Sequence, residues 1–232
     1  MQRSIHCINR RCAGVPLIMD KWIDDYRKGD HAIHVYSSDY ECKKALVDIA
    51  EWADRDEKVV WLNDKSSSGK TGISRKPADG RLNSDLRNGR VEFRPSYKSY
   101  CPGGVFLGSK MFEFWGNVRK EALKEGYKGL VVIGDVSWLK DHQSVFEPFM
   151  RYEQAIDFAR LPENLTVLCQ YDERLFTGDQ LRAAENVHQL HLRNGRLERS
   201  YWFVLRRTSE EGSSPESSKR PSIISESFMK QI

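Results

Sequence analysis

Asp135 follows Gly134 and four apolar residues, Leu130-Val131-Val132-Ile133. An acidic residue leaving an apolar strand can hold the metal of a metal–nucleotide complex, provided a phosphate-binding loop stands beside it. Such a loop has the form Gly-x4-Gly-Lys-Ser/Thr, because backbone N–H groups must wrap the phosphates and a lysine must reach them. Gly69-Lys70-Thr71 supplies the end of that pattern, but Asp64 stands where the first glycine belongs and would repel phosphate. After the first expected strand come Ser37-Ser38-Asp39-Tyr40-Glu41, with neither glycine nor lysine. The sequence therefore predicts no working phosphate loop. Asp135 is left to cap the segment that follows it or to bind another kind of ligand.

Other side chains suit a small organic ligand. Tyr36, Trp138 and Tyr171 fall at or just beyond expected strand ends, and Tyr152 lies on a helix that could turn towards them. Each joins an apolar ring to a polar tip, the combination that lines small-molecule pockets. His34 sits within an apolar strand and reads as a hydrogen-bonded core histidine. Glu153 follows the apolar face of its helix. A solvated charge is the expected state, with His34 or an arginine as its partner if it turns inward. Cys169 lies in an apolar strand and reads as an inert thiol. No Gly-x-Ser-x-Gly elbow and no His-Glu-x-x-His is present, so no catalytic arrangement can be placed and no enzyme is expected.

The five cysteines, Cys7, Cys12, Cys42, Cys101 and Cys169, are odd in number and irregular in spacing, which argues against a disulfide framework. Cys7-x4-Cys12, with His6 before it and His31 and His34 after it, does not have the spacing of a zinc module. These read as unrelated reduced thiols. No metal ligand and no cofactor is expected.

The elements that must position these residues alternate. Strands are predicted at 32–36, 58–63, from 91, at the run beginning with Gly129, and at 165–171. Helices are predicted from 39 to about 53, at 82–86, 110–125, 146–159 and 177–187. Alternating strands and helices give a three-layer α/β/α domain with a mostly parallel central sheet. Four consecutive apolar residues after Gly129, three of them β-branched, mark a strand buried on both faces. Ligands of such sheets sit beyond the carboxyl ends of the strands, where Asp135 and Trp138 leave. The connection 94–108, rich in Tyr, Pro and Gly, is long enough to be functional. Asn194-Gly195, between 188–192 and 200–205, is a hairpin signal. Residues 1–29 form an extension, 30–207 the folded domain and 208–232 a polar tail expected to be disordered.

The chain has 232 residues and a formal net charge of +4 with both signs mixed along its length, which argues against direct nucleic-acid binding. No apolar run approaches the length of a membrane span. The N-terminus carries no apolar signal region, so a cytoplasmic location is expected.

The series of segments resembles the MEDS family, a methanogen/methylotroph sensory domain. The resemblance is carried by His34-Val35-Tyr36 with Asp39 entering the first helix, then Glu57-Lys58-Val59-Val60-Trp61. Gly126-Tyr127-Lys128-Gly129-Leu130 follow, leading to Gly134-Asp135-Val136-Ser137-Trp138-Leu139. Tyr152-Glu153, Leu168-Cys169-Gln170-Tyr171-Asp172 and His188-Gln189 complete it in order. The resemblance implies a degenerate relative of the RecA-type ATPase fold without a working phosphate loop. It implies a sensory module that binds a small organic molecule and signals to a protein partner, a kinase or a transcription regulator. His34, Tyr36, Asp39, Asp135, Trp138, Tyr152, Glu153 and Tyr171 are the candidate ligand-binding residues. The alternatives are a nucleotide-binding ATPase-like enzyme, in which Lys70 would matter, and a non-catalytic docking module.

Overall fold

Leu130, Val131, Val132 and Ile133 are fully buried at the centre of the molecule. Each contributes roughly 1.5–3 kcal/mol by leaving water, and together they anchor β4 (Gly129–Asp135) between two parallel neighbours. The computed structural model describes residues 22–53, 55–64, 80–159 and 161–200. The expected tail and the Gly69-Lys70-Thr71 segment lie outside the described residues.

The neighbours of β4 are β2 (Glu57–Leu62) and β5 (Leu165–Asp172). With β1 (His31–Tyr36), β3 (Val91–Arg94), β6 (Leu190–Arg193) and β7 (Arg196–Arg199) they form one sheet in the order β3-β2-β4-β5-β1-β6-β7. All pairings are parallel except β6 with β7. The mostly parallel α/β sheet with a terminal hairpin is the architecture that the alternating pattern predicts.

Helices cover both faces. On one lie α1 (Asp39–Trp52) and α2 (Gly80–Arg87). Ala45, Leu46, Ile49 and Ala50 of α1 pack there with Val59, Trp61, Val131, Ile133 and Leu168. On the other face are α3 (Ser96–Tyr100), α4 (Gly108–Lys124), α5 (Phe146–Ala159) and α6 (Gly178–Asn186). Their core includes Met111, Trp115, Phe149 and Ile156 against Val60, Leu130, Val132 and Cys169. The extension expected at 1–29 docks where it is described. Trp22, Ile23 and Tyr26 are buried, and the Tyr26 hydroxyl donates to the Val167 carbonyl at 2.7 Å.

Three local features stand out. Phe112 takes a buried place on α4, while Phe114 is half-buried and Leu123 is exposed, because the inward stripe runs through Met111, Phe112, Trp115, Val118 and Ala122. The 94–108 connection contains α3 and a tight turn at Pro102–Gly104. The hairpin is tighter than expected. Asn194 and Gly195 both have positive φ, at 52° and 72°, so the chain reverses in two residues and Arg196 pairs directly with Arg193. The second strand is therefore Arg196–Arg199, and 201–205 lies outside the described residues.

One close approach is testable. A Cβ added at Gly134 would collide with the Tyr100 hydroxyl oxygen, whereas the ring carbon behind it stands 3.6 Å away, at ordinary contact distance. Gly134→Ala is expected to cost roughly 1–3 kcal/mol in chemical denaturation. Tyr100→Phe in the same chain should recover most of that loss. A double variant no better than the single one would show that the hydroxyl is not the obstacle.

Candidate functional site

The chain leaves β1 and β2 towards the α1/α2 face, and leaves β4 and β5 towards the α5/α6 face. Between β1 and β5, and between β2 and β4, the outgoing connections diverge at the carboxyl edge, the position where sheets of this kind bind ligands. Asp135 stands at that edge and is 2% exposed. Its carboxylate accepts from the Tyr36 hydroxyl at 3.3 Å, the Asn63 amide at 3.2 Å and the Ser137 backbone N–H at 2.8 Å. The Ser96 hydroxyl donates to the Asp135 carbonyl oxygen. One carboxylate thus ties the ends of β1, β2 and β4 together. Burial, and then the Asp135 charge, push the Tyr36 pKa far above its ordinary value, so the phenol remains a neutral donor.

The start of α1 opens on the same edge but is poorly suited to phosphate. Ser38 caps it by accepting from the Glu41 N–H at 3.3 Å, and the Glu41 carboxylate accepts from the Ser37 N–H at 2.8 Å. Donors that an anion would use are taken up by the protein's own oxygens, and Asp39 and Glu41 add negative charge. Asp39 is an exposed partner of Arg174, at 2.8 Å, and the same guanidinium holds buried Asp172 at 2.7 Å.

Beside Asp135, level with it on the neighbouring strand and on the same face, lies Gln170. Its side-chain oxygen accepts from the Trp61 indole N–H at 3.1 Å and the Cys42 thiol at 3.5 Å. Its NH2 donates to the Cys42 carbonyl at 3.1 Å and to His34 Nδ1 at 3.3 Å. His34 Nδ1 therefore carries a lone pair. Burial lowers the His34 pKa to about 4, which keeps the ring neutral in that role.

The remaining candidates face the other side. Trp138 is 5% exposed and sits among Tyr97, Tyr100, Phe106, His142 and Phe149, with ring centroids 5.5–6.2 Å away. Its indole N–H has no acceptor among the described residues. The Tyr152 hydroxyl accepts from the Trp115 indole N–H at 2.8 Å, and the buried Tyr171 hydroxyl has no partner among the described residues.

Glu153 overturns the expectation of a solvated charge. It is fully buried, and its partners are His31 at 3.0 Å and His188 at 3.4 Å. His34 points to the opposite face of the sheet, three residues and therefore one side away from His31. Burial would raise the Glu153 pKa, but His188 and His31 bring it down to about 2. Cys169 closes the group, 3.4 Å from both His31 Nε2 and Glu153 Oε2, and burial pushes its thiol up to about 12.

The family model for MEDS, the methanogen/methylotroph, DcmR sensory domain, matches residues 30–189. The chain belongs to the MEDS family. That match spans β1 to the end of α6 and takes in both buried polar groups. No curated protein sequence matches this MEDS chain. A solved structure from Pyrococcus horikoshii OT3, the Project ID PH0250 study, is similar at 10% identity with a TM-score of 0.43, covering 76% of this chain and 88% of its own. Among the described residues of this MEDS chain, no helix is long and apolar enough to cross a membrane.

The eight candidates thus divide. Tyr36 and Asp135 bond directly, and His34 lies level with Asp135 on the other side of Gln170. Asp39 is on the rim. Trp138, Tyr152, Glu153 and Tyr171 belong to the α5/α6 face. Asn63, Ser96, Gln170, His31 and His188 were not singled out as site residues. Only Gln170, a polar residue inside an apolar strand, carries a local signal.

The neutral state of His34 has a measurable effect. Its folded-state pKa of about 4 lies below the ordinary 6.5, so on acidification the unfolded chain takes up the proton first. Stability is retained above pH 6.5 and falls between there and pH 4, by up to about 3 kcal/mol from this group. Urea unfolding at pH 7 and pH 4.5 should show a steeper loss in the wild type than in His34→Gln. Equal losses would refute this role for His34.

Proposed function

We propose that this MEDS chain is a sensory and regulatory module that takes a small organic molecule at the carboxyl edge of its sheet and signals to a protein partner, a kinase or transcription regulator. The observation that carries this reading is the Asp135 hub. A buried carboxylate joins three strand ends at the carboxyl edge, and the chain leaving it turns to the other face, where the buried indole N–H of Trp138 lacks an acceptor among the described residues. A ligand bearing one hydrogen-bond acceptor and an apolar body matches the Trp138 surroundings. Rearranging the Asp135 contacts would change the relative positions of β1, β2 and β4, which gives binding a route to the surface. The acidic, self-capped start of α1 supports a ligand other than a nucleotide. Kinship with RecA-type ATPases fits the same reading, with Asp135 in the place of a metal-binding carboxylate that has lost its phosphate loop.

The test is a thermal-shift screen of small neutral organic molecules, followed by calorimetry on those that bind. At least one should stabilise the full chain. Its affinity should fall about tenfold or more in Asp135→Asn or Trp138→Phe, the loss of one hydrogen bond at a buried site. Tight magnesium–nucleotide binding that depends on Lys70, with no organic binder, would overturn the reading in favour of an ATPase-like function.

A further inference from the structure

His31 of β1, Glu153 of α5, Cys169 of β5 and His188 just beyond α6 are each at most 5% exposed. Each offers one donor atom to a common point, and the four atoms lie within 4.8 Å of one another. The measured separations are 3.0 Å for His31 Nε2 to Glu153 Oε2, and 3.4 Å for Cys169 Sγ to His31 Nε2, Cys169 Sγ to Glu153 Oε2 and His188 Nε2 to Glu153 Oε2. Ligand bonds of about 2.0–2.1 Å for nitrogen or oxygen and about 2.3 Å for sulfur give tetrahedral edges of about 3.3–3.6 Å. The group is already close to that size.

The proton arrangement points the same way. His188 Nδ1 lies 2.7 Å from the Ala184 carbonyl oxygen, which can only accept, so Nδ1 carries the hydrogen. In the neutral ring Nε2 is then a bare lone pair, and it faces the Glu153 carboxylate with no hydrogen-bond partner among the described residues. Two acceptors opposed in a buried site call for a proton or a metal ion between them. The bond from Nδ1–H to a backbone carbonyl is also the outer contact that orients metal-bound histidines. On the other side, His31 Nδ1 faces Asp157 Oδ1 at 3.8 Å, beyond hydrogen-bond range, and both atoms are buried without partners among the described residues. A small rotation would make Asp157 the outer carboxylate of a carboxylate–histidine–metal relay.

We propose that His31, Glu153, Cys169 and His188 form a four-ligand site for one divalent transition-metal ion of the zinc class. The mixed imidazole, thiolate and carboxylate set suits that class. Binding removes the Cys169 proton and any proton on His31 Nε2. The thiolate and the carboxylate then balance the two charges of the ion, and a neutral centre is what a fully buried site requires. Four protein ligands leave no open position, so the ion is a clamp joining β1, β5, α5 and the end of α6. The site lies on the opposite face from the Asp135 hub and does not depend on the sensory reading. The ligands stand at 31, 153, 169 and 188, which explains why no short motif announces them.

The test uses the full chain, stripped by chelation and titrated with cobalt(II), then zinc(II). One equivalent of cobalt should give the strong visible absorption of a four-coordinate centre and a near-ultraviolet thiolate-to-cobalt band, and zinc should displace both. Cys7→Ser/Cys12→Ser should keep the spectrum. Cys169→Ser should lose the thiolate band, and His188→Gln and Asp157→Asn should each weaken zinc binding by about 10–100-fold. Zinc should raise the melting temperature of the wild type far more than that of these variants. If Cys169→Ser fails to fold, as circular dichroism would reveal, Asp157→Asn and the Cys7→Ser/Cys12→Ser chain still decide the matter. No four-coordinate cobalt spectrum in the wild type, a thiolate band surviving in folded Cys169→Ser, or a band lost with Cys7 and Cys12 would each overturn the proposal.

Discussion

A parallel sheet covered on both faces offers no water to the polar side chains that rise from it, so each must find its partners inside the protein. β5 meets this constraint twice in succession. Gln170 projects towards α1 and satisfies both ends of its amide with Trp61, Cys42 and His34. Cys169 projects the other way, into the group with His31 and Glu153. These demands explain why α1 must approach close enough for its Cys42 carbonyl to accept a bond, and why α5 carries a carboxylate on its buried side.

The result is a sheet with two polar layers, one on each face, in an otherwise apolar core. On the α1 side His34, Gln170 and Asp135 stand side by side near the carboxyl edge, where Tyr36 and Asn63 join them. On the α5/α6 side it is closed off, beneath the aromatic nest around Trp138. The MEDS match covers both. A module whose strand ends are joined by one carboxylate is well arranged to register a change at that carboxylate, because three separate connections leave the sheet there.

The backbone architecture was legible because its cause is local. Val59, Val60, Val131 and Val132 are apolar on both sides of their strands, and only a doubly covered sheet buries them all. Ser38 announces the cap of α1, and Asn194-Gly195 the reversal of the chain. Asp135 and Tyr36 were also legible, since each ends an apolar run at the edge where ligands gather. The partners of Glu153 were not. Its helix pattern suggests a face but not which of six histidines that face will meet. His31 and His34 differ by three positions in one strand, so strand alternation sends them to opposite sides, and only the order β5-β1-β6 decides which side holds α5. That order is a property of the whole chain, and no window of sequence contains it.

The same order governs how the molecule is assembled. Among the described strands β1 comes first in the chain, yet its two neighbours, β5 and β6, come late, pairing with it across more than a hundred residues. β2, β3 and β4 can associate among themselves long before. Throughout that interval Ile33, Val35 and Tyr36 have no strand beside them, and β1 is an unpaired apolar edge. β1 therefore pairs only with strands that follow it in the chain by more than a hundred residues. Topologies dominated by such distant pairings fold slowly and are exposed to misassociation meanwhile.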